Sequence, residues 1–184
     1  MSHSSPTRQP RPLLMRPGVV LFQVAFAALL LLGVVLGLRQ SLLSNEDGGS
    51  APLPDRIAQA KLVSYVQGEE AVASMSQLHI NGIAMVDGYI GHYEGGATVW
   101  VGIAADEGQA RQMVQAMTDG IAGGGSPFSD PQAVQMEGQT VYMVLDESQQ
   151  HNFYYQKHQT VIWVQPPASD IEAFLSEALR LLHS

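Results

Sequence analysis

Cysteine is absent from all 184 residues. This excludes disulfides and thiolate metal sites, so any folded domain must be stable through packing alone. It also excludes a lipid carried on cysteine. Basic residues are scarce too. Of nine Lys and Arg, four (Arg8, Arg11, Arg16 and Arg39) lie at or before residue 39, and all seventeen acidic residues lie after it. From Gln40 onward, five basic residues face seventeen acidic ones, a formal net of −12. A domain so charged repels phosphate backbones and anionic headgroups, which argues against nucleic acid as a partner.

Catalytic signatures are missing as well. There is no Gly-x-Ser-x-Gly elbow and no Ser-x-x-Lys. Gly123-Gly-Gly-Ser126 has the composition of a phosphate loop, but it follows a helical stripe and no lysine comes after it. Free backbone N–H groups lie at helix N-termini, so this run reads as helix termination.

Of what is present, the clearest feature is residues 18–38, 21 residues without a charge and with Gln23 as the only strongly polar side chain. At about 1.5 Å per residue the run matches the roughly 30 Å of hydrocarbon in a bilayer. Cleaved signal peptides have apolar regions of about 7–15 residues and end at a small-x-small site. This run is longer, and it leads into Leu38-Arg39-Gln40-Ser41 without that pattern, which favours a retained signal anchor. Three arginines precede the span and one follows it, so the N-terminus is expected in the cytoplasm. The expected layout is a cytoplasmic tail at 1–17, an anchor in the cell membrane at 18–38, a flexible linker at 39–55 and an extracytoplasmic domain at 56–184. Gly33-x-x-x-Gly37 has the spacing that lets two membrane helices approach closely. Glycine is common in such spans, so the motif leaves homodimerisation open.

Beyond the linker, Asp55 is expected to cap a helix from Ile57 to Leu78, broken at Gln67-Gly68, with Ile57, Ala60, Val63 and Val66 on one face. Glu69-Glu70 would open its second piece, where carboxylates complement the helix dipole. Strands are expected at 80–85, 88–93 and 98–103, with a hairpin turn at Glu94-Gly95-Gly96. Asp106 then caps a helix whose stripe is Ala110, Met113, Val114, Met117 and Ile121. Four further strands follow, at 133–136, 140–145, 152–156 and 160–165. A closing helix then opens at Ser169 or Asp170, with Ile171, Phe174, Leu175, Ala178, Leu179 and Leu182 on one face. Setting Trp100 on Trp163 aligns two strand-then-helix units and suggests a pseudo-duplication. The fold class is therefore α+β: a two-layer sandwich of antiparallel sheet with helices on one face.

Two constellations are candidates for function. His92 and Glu94, two apart on one strand, could hold a metal together with Asp87 or His151, as in a tethered hydrolase or metal-dependent enzyme. Cross-strand polar pairing explains the same residues, and their spacing matches no metalloenzyme motif. The second is aromatic: Tyr89, Tyr93, Trp100, Tyr142, Tyr154 and Trp163 concentrate in the strands. In a sheet covered on one side these rings would either face solvent as a binding surface or fill the core. The functional expectation is a non-catalytic, membrane-tethered binding or accessory module of a bacterial envelope. It requires no cofactor, and its partner would be an envelope protein or a small molecule.

Overall fold

The computed structural model describes residues 53–77, 85–124 and 126–182. The run at 18–38, most of the linker and strand positions 80–84 lie outside them; Met85 is described and is not in a strand. Among the described residues no helix is long and apolar enough to cross a membrane. Among the described residues the fold is α+β, with eight antiparallel strands and three α-helices. The strands are β1 (Arg56–Ile57), β2 (Ala60–Gln67), β3 (Asp87–Tyr93), β4 (Thr98–Ile103), β5 (Gln132–Met136), β6 (Gln139–Leu145), β7 (His151–Lys157) and β8 (Thr160–Gln165). The helices are α1 (Glu69–Gln77), α2 (Glu107–Ala122) and α3 (Ile171–Leu181). The sheet runs β1-β2-β3-β4-β8-β7-β6-β5, so the two strands that carry tryptophan are neighbours at its centre.

The expected helix over Ile57–Val66 is instead the β1–β2 hairpin. Its residues satisfy two periods, since Ala60, Val63 and Val66 fit a helix while Ala60, Leu62, Ser64 and Val66 alternate. Burial along β2 follows the alternation, and β3 supplies a ladder from Leu62↔Tyr93 to Gln67↔Tyr89. A free strand partner decides between the two periods. Asp55, the expected cap, closes this hairpin by accepting the amide of Leu62 at 2.8 Å. Ordered packing also starts before the expected boundary. Leu53 is buried, and its Cδ1 lies 2.6 Å from where a Cβ on Gly91 would sit.

The helices do not share one face of the sheet. Gly88 and Gly91, even and odd positions of one strand, point opposite ways. A Cβ on Gly88 would collide with Met75 of α1, whereas one on Gly91 would meet Leu53 and Tyr93. Tyr93 packs edge-on against Phe174 of α3, with centroids 5.8 Å apart and planes at 80°. Gly102, paired with Gly88, approaches Met85 and Met113 of α2. So α1 and α2 cover one face and α3 the other. The α3 face forms the larger core, where Val99, Val101, Ile162 and Val164 meet Phe174, Leu175 and Ala178. On the opposite face two smaller clusters form, one of α2 with Val144, Tyr154 and Val161, the other of α1 with Ile90. The reason lies in the central strands: Val99, Val101, Ile162 and Val164 alternate with Trp100, Val161 and Trp163, so both faces are apolar and both need cover. The expected one-sided sandwich is replaced by a sheet between two helical layers.

Candidate binding surface

Cross-strand register assembles four of the six aromatic candidates into a row. Tyr142 pairs with Tyr154, Tyr154 with Trp163, and Trp163 with Trp100. Tyr142 and Tyr154 stack at 5.1 Å and 14°, and Tyr154 and Trp163 at 5.2 Å and 8°. Such pairs contribute about 0.5–1.5 kcal/mol each beyond burial. The row lies on the face covered by α1 and α2. Tyr154 is fully buried beneath α2, where its hydroxyl lies 3.0 Å from Thr118 Oγ1, and desolvation raises its pKa. Tyr142, Trp100 and Trp163 are half-buried.

At the centre of the row the two indoles diverge. Trp100 packs with Val66 and Met85 against the cluster of Ala71, Met75 and Ile90 under α1. Trp163 packs against the α2 cluster and against Phe128, 5.0 Å away at 55°. Met85 packs against both clusters and bridges the boundary between them, and the two indoles beside it stay half-buried.

Two residues along each strand, toward one end of the sheet, a polar row runs beside the aromatic one. It comprises Ser64, His92, Thr98, Gln165 and Asn152, and the register Ser64↔His92↔Thr98↔Gln165 places them in line. His92 Nδ1 lies 3.4 Å from Thr98 Oγ1, and burial lowers the pKa of His92, so it is neutral at pH 7. Trp163 Nε1 donates to Asn152 Oδ1 at 3.0 Å, which fixes the indole. The Gln165 amide makes no side-chain hydrogen bond among the described residues, which leaves a donor and an acceptor available beside the indoles. A half-buried surface that pairs flat aromatic faces with amide, hydroxyl and imidazole groups can bind a ligand with both apolar and hydrogen-bonding edges.

The other two aromatic candidates are on the α3 face. Tyr93 is buried and donates to the Pro54 carbonyl at 3.0 Å, with its pKa raised by burial. Tyr89 donates to Asp87 Oδ2 at 3.2 Å, and burial with the adjacent carboxylate raises its pKa. The six rings therefore form two groups on opposite faces, only one of which is a continuous row.

His92, Glu94 and His151 do not assemble. β3 ends at Tyr93, so Glu94 begins a 3-10 turn and its carboxylate accepts the Lys61 amide at 3.2 Å. His151 is on β7 on the α3 face, stacked on Phe153, whereas His92 faces α1. Two strands separate them, about 14 Å at the usual strand spacing. Among the described residues no three His, Asp or Glu side chains are placed to hold a metal. Glu94 instead borders a shallow cleft of about 180 Å³ on the α3 face, with Gln59, Ser169, Asp170 and Phe174.

The polar row was accessible to sequence reasoning only in part. Residues two away from each aromatic share its face, but that Gln165 is next to Thr98 depends on the β4–β8 pairing, which strand patterns do not specify. The cleft gave no signal, since its residues come from distant parts of the chain. No family model matches the chain, and neither a curated protein nor a solved structure matches it.

Proposed function

We propose that this protein is a membrane-tethered, extracytoplasmic binding module of a bacterial envelope, and that its ligand rests on the band around Trp100 and Trp163. One observation carries the reading: two tryptophans paired at the centre of the sheet lie half-buried beside a line of polar groups, at the seam between two helices. A purely structural pair would be sealed by one helix, as Tyr154 is. The tether is inferred from residues 18–38 and the arginines before them. The partner is an envelope protein or a small molecule with a flat apolar face, and the acidic domain favours one that is neutral or basic.

Both tryptophans of the chain lie in this band. Intrinsic fluorescence is therefore a direct readout as fractionated envelope proteins and small-molecule pools are titrated. A saturable change in emission is expected, weakened by Trp100→Ala and by Gln165→Ala, with the fold intact by circular dichroism. Saturable binding that leaves emission unchanged and tolerates both substitutions would place the ligand elsewhere. The tether is tested separately: the full chain should sediment with membranes, and in cells stripped of any outer barrier, added protease should digest the acidic part.

A further inference from the structure

We propose that the outer edge of β2, Val63–Gln67, docks a second copy of this chain, by antiparallel pairing of β2 with its own counterpart. β1 covers only the beginning of β2, through Arg56↔Lys61 and Ile57↔Ala60, and its neighbour Asp55 takes the amide of Leu62. Beyond that point, among the described residues, β2 pairs on its inner side with β3 and on its outer side with nothing. Val63 is 58% exposed and Tyr65 39% exposed, an apolar pair along the open strand. An unpaired edge is a template for another strand, and proteins usually blunt it with charge or proline. Leu62–Gln67 carries neither, within a domain (residues 56–184) of five basic and fourteen acidic residues, net −9.

Charge placement selects the occupant. Lys61 stands at one end of the uncharged run and Glu69-Glu70 at the other, all three exposed, and none forms an ion pair among the described residues. Pairing two copies about Tyr65, the middle of the open stretch, sets Val63 of one opposite Gln67 of the other, so side chains of the same face meet and Lys61, next to the β1 hairpin, comes level with position 69 of the second copy. Lys61 then lies beside the second copy's Glu69-Glu70, and the twofold repeats the pairing at the far end. The sheet's other edge makes the contrast. β5 is also uncharged, but Asp130 and Glu137 stand at its two ends, so the same self-pairing there would oppose acid to acid. Two strongly acidic domains can approach most readily where a basic residue meets the partner's carboxylates, and β2 provides that place. The chain also joins the domain here, since Leu53 and Leu62 both approach Gly91. If the proposed anchor holds, two tethers would rise on the same side, which raises the local concentration of the second copy.

The absence of cysteine makes single-cysteine variants of the full chain, in its native membrane, direct reporters. Ser64→Cys and Tyr65→Cys should give covalent dimers on mild oxidation or with a short bis-maleimide, whereas Ala133→Cys and Val134→Cys on β5 should not. Lys61→Glu should lower the crosslinked fraction about fivefold or more, and adding Glu69→Lys with Glu70→Lys should restore it. The proposal fails if β5 cysteines crosslink as readily, if β2 cysteines link to a different protein, or if the charge-swapped variant stays as poorly crosslinked as Lys61→Glu alone. Membrane fractionation tests the anchor independently, so loss of the tether and loss of the strand pairing can be told apart.

Discussion

The units β4–α2 and β8–α3 have the same order of elements, and their tryptophans face each other across the centre of the sheet, yet their helices pack on opposite sides. After β4 the chain turns through Ala104–Asp106 onto the tryptophan face, where α2 covers Tyr154 and Val161. After β8 it passes Pro166-Pro167 and crosses to the other face, where α3 covers Val99, Val101, Ile162 and Val164. A duplication that carried its helix along would place both on one side. The comparison teaches that the strands are alike because each has two apolar faces, while the connection after each decides which face is covered. The face under α3 is closed by one continuous core. The face under α1 and α2 is closed by two smaller clusters that meet at Met85, and the half-buried tryptophans pack one on each.

This contrast can be broken at several points. The largest effect is expected under α3, where Phe174→Ala removes a fully buried ring and its contact with Tyr93, at a cost of about 3–5 kcal/mol. Met75→Ala, in the smaller α1 cluster, should cost about 2 kcal/mol, near the low end for such truncations. Chemical denaturation of the two variants compares the layers directly, and equal losses would contradict the division into a larger and a smaller core. Next, Asn152→Ala leaves the Trp163 N–H without its acceptor, for a loss of about 1–3 kcal/mol and a shift in tryptophan emission.

A smaller difference separates the two helix starts. Asp106 accepts the Gln109 amide at 2.7 Å, whereas the Asp170 side chain makes no capping bond. Asp106→Ala should therefore cost about 1 kcal/mol in thermal or chemical melts and Asp170→Ala only a few tenths. The mildest effect expected is that of pH. Burial lowers the pKa of His92 below its ordinary 6.5, so the unfolded chain binds a proton more readily than the folded one. This contribution is fully retained above pH 6.5 and declines as pH falls from there through the folded pKa. Melts at about pH 7.5 and about pH 5 should show that decline, and His92→Gln should lessen it.

Much of the fold is legible in the sequence. Thr98–Ile103 and Thr160–Gln165 have the bounds expected, since alternating β-branched and aromatic residues between turn formers leave little choice. The α2 and α3 stripes are buried as their spacing implies, except that Met117 of the first and Ile171 of the second are only partly covered. β1 and β2 depart from the expected helix because short segments with two compatible periods take the one for which a partner exists. The aromatic residues are legible as a set. Their division into a row on one face and a pair on the other follows from register, and so does the polar line beside the row. His92 and His151 show the same limit, since spacing along a chain says little about residues separated by two strands.

By itself the sequence determined the uncharged run near its start, the acidity of the remaining chain, the absence of covalent staples, and most of the strand and helix bounds. These depend on composition and on periods that operate within one element. Only the tertiary structure decided that the tryptophans meet at the sheet's centre, that the helices divide between its faces and that, among the described residues, β2 keeps part of its outer edge unpaired. Each of these depends on which elements become neighbours, and neighbours are chosen by the burial of whole faces, which no single segment encodes.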